Sequence, residues 1–345
     1  VNVGFVLYWQ RGDAARMVTR LAGRLHALGH DVFIYGRDKP QPVDAFWDRY
    51  VTGPPHRYTT WLRKHQPAYV VFGEPPAPEE VQQAMAAKAT TYLLCLVTDL
   101  AEDNLGALGL LHRIICPSRY AQRLLGKLFA LENAYYLPWD PGVPITRDAR
   151  LVDPARVGIY WPAASGSALR QGPEVAREVW LALAERASAY LTVGYSAAMP
   201  AATTRELRKL AAGAGGRFEL VKDPAPDKEQ LLFGRHDVTA WPTVAEGAGL
   251  AGLTSVYMGT PVVAFDHPVV AETVKDGRSG VLVPCELGYN SLGVPTAVPD
   301  YAAFGAALAE LVAHPDYLDG LRGGTGEGLA RRRENFLAAV DDLFS

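Results

Sequence analysis

The stretch Trp241 to Asp266, WPTVAEGAGLAGLTSVYMGTPVVAFD, concentrates residue types that can do chemistry. A strand-like run ends at Pro242, a glycine-rich turn follows, and a helical pattern begins. Small residues at Gly247, Ala248 and Gly249 let a ligand approach the backbone. The N–H groups at a helix start, aided by the helix dipole, suit a pyrophosphate. Glu246 stands at the mouth of that turn, where a carboxylate accepts hydrogen bonds from sugar hydroxyls but repels phosphate. The same residues also fit an ordinary strand–turn–helix connection with a solvated glutamate. Spacing alone leaves both readings open.

The elements that would position this turn follow from the hydrophobic pattern. VGFVLYW near the start is a continuous apolar run, as in a strand buried on both faces of a parallel sheet. Met17, Leu21, Leu25 and Leu28 follow at helical spacing. DVFIYG is the next strand after Gly29-His30. The unit recurs with strands at Ala68–Gly73, Thr91–Thr98, Arg113–Cys116 and Ala134–Leu137, and helices at Pro78–Lys88 and Ser118–Phe129. Residues 138–155 hold four prolines without periodicity and read as a linker. The alternation then restarts with the strands VGIYW, AYLTVGY, RFELV, DVTAWP and TPVVAF. Between them lie helices at Pro173–Ala187, RELRKLAAGAG, Lys228–Leu232 and Gly249–Met258. The tail from about Ala302 reads as mostly helical.

Strand–helix alternation implies α/β architecture with right-handed crossovers. The expectation is two doubly wound, Rossmann-like parallel-sheet domains facing across a cleft. The division falls at residues 1–145 and 146–325, with a final helix, 326–345, returning to the first domain. Ligands of such sheets sit beyond the carboxyl ends of the strands.

Composition bounds the function. The 345 residues carry 34 Lys+Arg against 37 Asp+Glu, a net charge of −3, which argues against nucleic-acid binding through a basic field. Cys95, Cys116 and Cys285 are widely spaced, so neither a disulfide framework nor a zinc site is encoded. A reducing, cytoplasmic setting fits, and no stretch approaches the roughly 20 apolar residues of a membrane span. Residues 9–16, WQRGDAAR, lack the GxGxxG of a dinucleotide-dependent oxidoreductase.

EGAGL…MGTPVVAF resembles the nucleotide-sugar motif of retaining glycosyltransferases with the GT-B fold. The usual pattern there is Pro-Ser-x-x-Glu-Gly-Phe-Gly-Leu, a second Glu eight residues after the first, then Ala-x-Gly-x-Pro-Val-Val-Ala. Pro242, Glu246, Gly247, Gly249, Leu250, Gly259, Pro261, Val262, Val263 and Ala264 match. Leu28–Val32, the segments 116–125 and 137–144, LTVGY (191–195) and AETVKDGRSGVLVP (271–284) resemble further family segments in the same order.

The resemblance implies a metal-independent transfer of a glycosyl group, with retention, from a nucleoside-diphosphate sugar to a carbohydrate, glycolipid or small-molecule hydroxyl. The sugar nucleotide is a co-substrate, and no cofactor or metal is implied. Consistently, the sequence has no Asp-x-Asp triplet. Glu246 would hold donor hydroxyls. Gly247, Ala248, Gly249 and Leu250 would lie against sugar or diphosphate, with Thr254, Arg170, Lys222 and Glu272 completing the donor side. Gly12, Asp13, Thr98, Asp99 and His267 are the acceptor-side candidates.

The sequence also departs from the family pattern. Thr254 replaces the second Glu, and a hydroxyl makes fewer acceptor bonds than a carboxylate. Arg170-Gln171 stands where Arg and Lys-Gly are usual, and Pro268-Val269 replaces a Gly-Gly pair whose backbone donates. The second reading is therefore a catalytically weak relative acting as a partner or scaffold. Arg16, Arg20 and Arg24 read as a solvated helix face rather than a membrane-binding one, and Arg331–Arg333 as the exposed side of the last helix. Residues 285–300 read as a long Gly/Pro-rich connection, either a cover for the donor or simple variation.

Overall fold

The computed structural model describes residues 1–8, 12–37, 50–54, 57–145, 155–163, 173–196 and 199–345. The chain forms two compact units. The first comprises Val1–Asp140, Ser291–Val294 and Arg331–Ser345, and the second the remaining residues from Pro141 to Ala330.

The first unit runs β1 (Asn2–Leu7), α1 (Gly12–Ala27), β2 (Asp31–Gly36), β3 (Tyr50–Thr52), α2 (Tyr58–His65), β4 (Tyr69–Phe72), α3 (Pro78–Ala86), β5 (Thr90–Leu94), α4 (Leu105–Leu108), β6 (Arg113–Cys116), α5 (Arg119–Phe129) and β7 (Ala134–Tyr136). Its strands are parallel and ordered β3-β2-β1-β4-β5-β6-β7. The order reverses at β1/β4. Val6, Trp61, Phe72, Leu93, Ile114 and Leu125 build the core between sheet and helices. Gly4 is required in β1, because a Cβ there would stand 2.5 Å from the Trp61 indole.

The second unit runs β8 (Val157–Trp161), α6 (Pro173–Ala184), β9 (Ala189–Tyr195), α7 (Ala201–Gly213), β10 (Phe218–Lys222), α8 (Pro226–Arg235), β11 (Val238–Trp241), α9 (Leu250–Tyr257), β12 (Val262–Phe265), α10 (Pro268–Thr273), β13 (Gly280–Val283), β14 (Glu286–Tyr289), β15 (Pro295–Val298), α11 (Tyr301–Ala313) and α12 (Pro315–Gly324). The helix α13 (Leu329–Leu343) closes the chain. The second parallel sheet is ordered β10-β9-β8-β11-β12-β13 and reverses at β8/β11. Both sheets are therefore doubly wound, as the alternation required. Ile159, Trp161, Val179, Leu191, Val263 and Phe304 lie in the second core.

Several local expectations need correction. The strand placed at Thr91–Thr98 spans Thr90–Leu94, and Val97–Asp99 is a turn of 3-10 helix. The proline-rich stretch begins inside the first unit rather than as open linker. There Trp139 and Asp140 are fully buried, Trp139 edge-on to Phe336 of α13 with ring centroids 5.2 Å apart. Residues 285–300 are not a plain loop: β14 and β15 form an antiparallel hairpin from Glu286↔Val298 to Tyr289↔Pro295.

The basic stripes are not free faces. Arg20 bonds the buried Asp140, and Arg24 bonds Asp341 at 2.8 and 3.0 Å. Arg332 donates to the Trp139 carbonyl at 2.8 Å, and Arg333 to Asp140 at 3.2 Å. These cations hold α1, the segment after β7 and α13 together. No helix among the described residues is long and apolar enough to cross a membrane.

Candidate functional site

In the second unit the candidate residues cluster beyond the carboxyl ends of β11 and β12. After Trp241 the chain turns through Pro242 and Thr243, whose hydroxyl donates to the Ala245 carbonyl at 3.0 Å. The Ala297 N–H of β15 donates to the Val244 carbonyl at 2.6 Å, so the hairpin braces this turn. Gly252 in α9 meets the Trp241 indole face. A Cβ there would stand 2.5 Å from the ring, so the close packing of α9 on β11 demands glycine. Gly249 caps α9 with φ +73° and lies against Val269 and Thr273 of α10. Gly247–Leu250 thus sit where α9, α10 and the turn converge.

Glu246 is buried, only 8% exposed. Its Oε1 accepts three backbone N–H bonds, from Gly247 at 3.0 Å, Ala248 at 3.2 Å and Gly249 at 3.0 Å. The N–H groups that the sequence offered to a pyrophosphate are here turned onto Glu246. The glutamate is not a solvated side chain either: its own turn wraps it as a small anion nest. Three charge-assisted bonds fix the carboxylate's orientation at the start of α9.

The remaining donor-side candidates are spread more widely. Thr254 is half-buried, one turn along α9 from Leu250. Glu272 is half-buried on α10, and its carbonyl accepts from Lys275 Nζ at 3.2 Å. Lys222 is exposed at the end of β10, three strands from β11 in the sheet order, roughly 14 Å at normal strand spacing. It is not brought to the Glu246 turn. Arg170 and Gln171 lie outside the described residues.

His267, grouped with the acceptor side by sequence, belongs to the second unit and is a buried cap. Its Nδ1 accepts the Val269 N–H at 3.3 Å, and its Nε2 faces the Pro295 carbonyl at 3.3 Å. With Nδ1 an acceptor, Nε2 carries the proton and donates. Burial pushes its pKa down, against the Pro295 bond and Asp266. Both ring nitrogens hold α10 and β15 in place, so His267 is not an unengaged acid or base.

In the first unit Gly12 opens α1 with φ +20°, and Asp13 stands in its first turn. The Asp13 Oδ1 is covered and has no hydrogen-bond partner among the described residues. Desolvation pushes the Asp13 pKa up, opposed by Arg16. Thr98 and Asp99 are half-buried in the 3-10 turn beyond β5, where the Asp99 carbonyl accepts from Asn104 at 3.3 Å.

Sequence reasoning missed Glu74. It follows β4 by two residues, is only 2% exposed, and both its oxygens take the Tyr8 N–H, at 3.1 and 3.2 Å. Tyr8 directly follows β1, so this carboxylate bridges the two strand ends where the order reverses. The available signal was Phe72-Gly73-Glu74: an acid placed just past a buried strand, inspected by the rule that ligands sit there. Among the described residues no group of His, Cys, Asp and Glu is arranged to hold a metal ion.

Residues 165–313 match the family described as glycosyl transferases group 1. That match contains the Glu246 turn, α9, α10 and the hairpin. No curated protein matches the sequence. Among solved structures, a glycosyltransferase from Rickettsia africae superposes with a TM-score of 0.71 at 12% identity, over 99% of this chain and 97% of that one. HepE of Anabaena in complex with UDP-glucose gives 0.72 at 13%, over 99% and 97%. The pneumococcal O-GlcNAc transferase in complex with UDP and GlcNAc gives 0.72 at 10%, over 100% and 99%. The two doubly wound units are thus the GT-B fold of these glycosyltransferases.

Proposed function

We propose, from a glycosyl transferases group 1 domain at residues 165–313 and two doubly wound sheets of the GT-B kind, that the protein transfers a sugar from a nucleoside-diphosphate sugar to an acceptor hydroxyl. The observation that carries this reading is the Glu246 turn. A buried carboxylate, aimed by three N–H bonds of its own loop, sits at the start of α9. A carboxylate already held in place meets a sugar hydroxyl without an ordering cost at the moment of binding.

In this reading Glu246 orients the donor sugar, and Gly247–Leu250 lie against it and its diphosphate. Thr254 and Glu272 supply further polar contacts, and Arg170 meets phosphate in the loaded form, whereas Lys222 stands too far along the sheet to do so. Gly12, Asp13, Thr98 and Asp99 serve the acceptor, joined by Glu74 at the β1/β4 crevice. His267 positions α10 rather than exchanging protons. The bond from the anomeric carbon to the diphosphate breaks, the diphosphate leaves with the electron pair, and the acceptor oxygen forms the new bond as its hydroxyl proton passes to the leaving diphosphate. Preorganised donors around the leaving diphosphate supply much of the rate. Retention, independence of metal and a cytoplasmic setting complete the proposal. Uridine is the first base to test, because the Anabaena and pneumococcal structures hold UDP.

The deciding experiment is calorimetric titration with UDP, GDP, TDP and ADP. The expected result is binding of one of them, UDP foremost, together with hydrolysis or transfer from the matching sugar nucleotide. Failure of all four to bind removes the transferase reading in favour of a partner or scaffold role.

A further inference from the structure

A cavity with both charged and apolar walls lies in the second unit, away from the Glu246 turn. It has a volume of about 420 Å³ and sits under α8, against β9 and β10. Its walls reach Arg156, which directly precedes β8, and Tyr190, the second residue of β9. Its walls thus reach the amino ends of β8 and β9, whereas Glu246 stands beyond the carboxyl end of β11.

The floor is a hydrogen-bonded set of side chains. Tyr190 donates its hydroxyl to Glu219 Oε2 at 3.0 Å. His236 donates from Nδ1 to the Leu232 carbonyl at 2.7 Å, which leaves Nε2 to accept the Thr192 hydroxyl at 2.8 Å. Glu219 pairs directly with Thr192 in the β9/β10 register, so the floor is continuous across the two strands. Burial also pushes the His236 pKa down, so the ring adds no charge at neutral pH.

The rim is basic. Arg156, Lys228 and Arg235 line the cavity, and Glu219 is the one acid among its lining residues. Three cations against one anion leave a surplus of two positive charges. None of the three cations forms a salt bridge among the described residues, and the covered Nε of Arg235 has no hydrogen-bond partner there. Val221, Leu231 and Leu232 supply an apolar wall. A buried guanidinium nitrogen without an acceptor costs free energy until an acceptor arrives.

We propose that this cavity binds a phosphorylated sugar, with its phosphate on Arg156, Lys228 and Arg235 and its hydroxyls on the Tyr190–Glu219–Thr192 floor. A phosphate monoester carries nearly two negative charges at pH 7, matching the surplus. The volume lies within the range of small-molecule sites. This inference is independent of the donor reading: it uses none of the residues placed in the Glu246 turn.

The test is calorimetric titration of the whole chain with glucose 6-phosphate, with inorganic phosphate and with glucose, each alone. Glucose 6-phosphate is expected to bind with a Kd of about 1 mM or tighter, and more tightly than either fragment. The exposed substitution Lys228→Glu, which leaves no buried group behind, is expected to weaken it at least tenfold, about the effect of one charge-assisted bond. Arg235→Gln is expected to act in the same direction. Glu246→Ala is expected to leave this binding intact while it impairs turnover, which separates this site from the donor site. Absence of glucose 6-phosphate binding, binding no tighter than inorganic phosphate, or loss on Glu246→Ala but not on Lys228→Glu would each overturn the proposal.

Discussion

The two sheets have the same winding, and each puts a buried glutamate after the strand that follows the reversal. In the first unit that strand is β4 and the acid is Glu74; in the second it is β11 and the acid is Glu246. The two are satisfied in different ways. Glu246 takes N–H groups one to three residues ahead in its own turn. Glu74 takes the N–H of Tyr8, 66 residues earlier in the chain. A local nest forms wherever its turn forms. A bridge between β1 and β4 exists only when the sheet is assembled. The difference teaches that Glu246 belongs to a self-contained turn, whereas Glu74, buried, ties two strand ends together across the sheet.

The largest expected effect breaks the comparison at Glu246. Glu246→Ala should lower kcat/KM roughly 10- to 100-fold, the worth of one charge-assisted bond to the donor. Steady-state kinetics with the sugar nucleotide found by titration checks this, and an unchanged kcat/KM removes Glu246 from its role. Glu74→Ala comes next. It should cost about 1–3 kcal/mol of stability by leaving the Tyr8 N–H buried and unpaired. Glu74→Gln, which keeps an acceptor oxygen, should recover part of it in urea denaturation. Nucleotide affinity should stay constant in both Glu74 variants; a loss as large as in Glu246→Ala would erase the contrast.

A smaller effect concerns His267. Its folded pKa lies below its ordinary value of 6.5, so below that pH the unfolded chain binds the extra proton more readily. Stability therefore rises with pH and is lost as pH falls through and below 6.5. His267→Asn, which keeps a cap acceptor for Val269, should flatten part of that slope in melting curves taken across the window. His236, also held down by burial, contributes with the same sign. The smallest effect is at Asp13, whose pKa is raised. The folded state there keeps a proton that the unfolded state gives up, so ionisation opposes folding above the ordinary value of 3.8. Asp13→Asn should raise Tm slightly at pH 7 and lose that advantage at acid pH, where both states are protonated.

Much of the architecture was legible in the sequence, for physical reasons that particular elements show. VGFVLYW and VGIYW are apolar at every position because both faces of a parallel strand are covered. Their alternation with amphipathic helices admits few topologies. The Glu246 turn was legible because all its parts lie within a few residues. β3 escaped because its three residues, Tyr50–Thr52, carry too short a pattern to register. The β14–β15 hairpin escaped because its glycines and prolines read as loop, whereas pairing across Glu286–Val298 decides its form. The arginines of α1 and α13 looked solvated because their partners, Asp140 and Asp341, are far away in sequence.

The sequence by itself determined two doubly wound α/β units and a glycine-rich turn headed by a glutamate, since hydrophobic period and local spacing are properties of neighbouring residues. Only the tertiary structure decided that Glu246 is buried within its own turn, that His267 is a cap with both nitrogens engaged, and that Glu74 spans β1 and β4. Only it gathered Arg156, Tyr190, Glu219 and Arg235 around one cavity. Such outcomes depend on which strand ends meet and how much water is excluded between them, and a linear pattern carries no term for either.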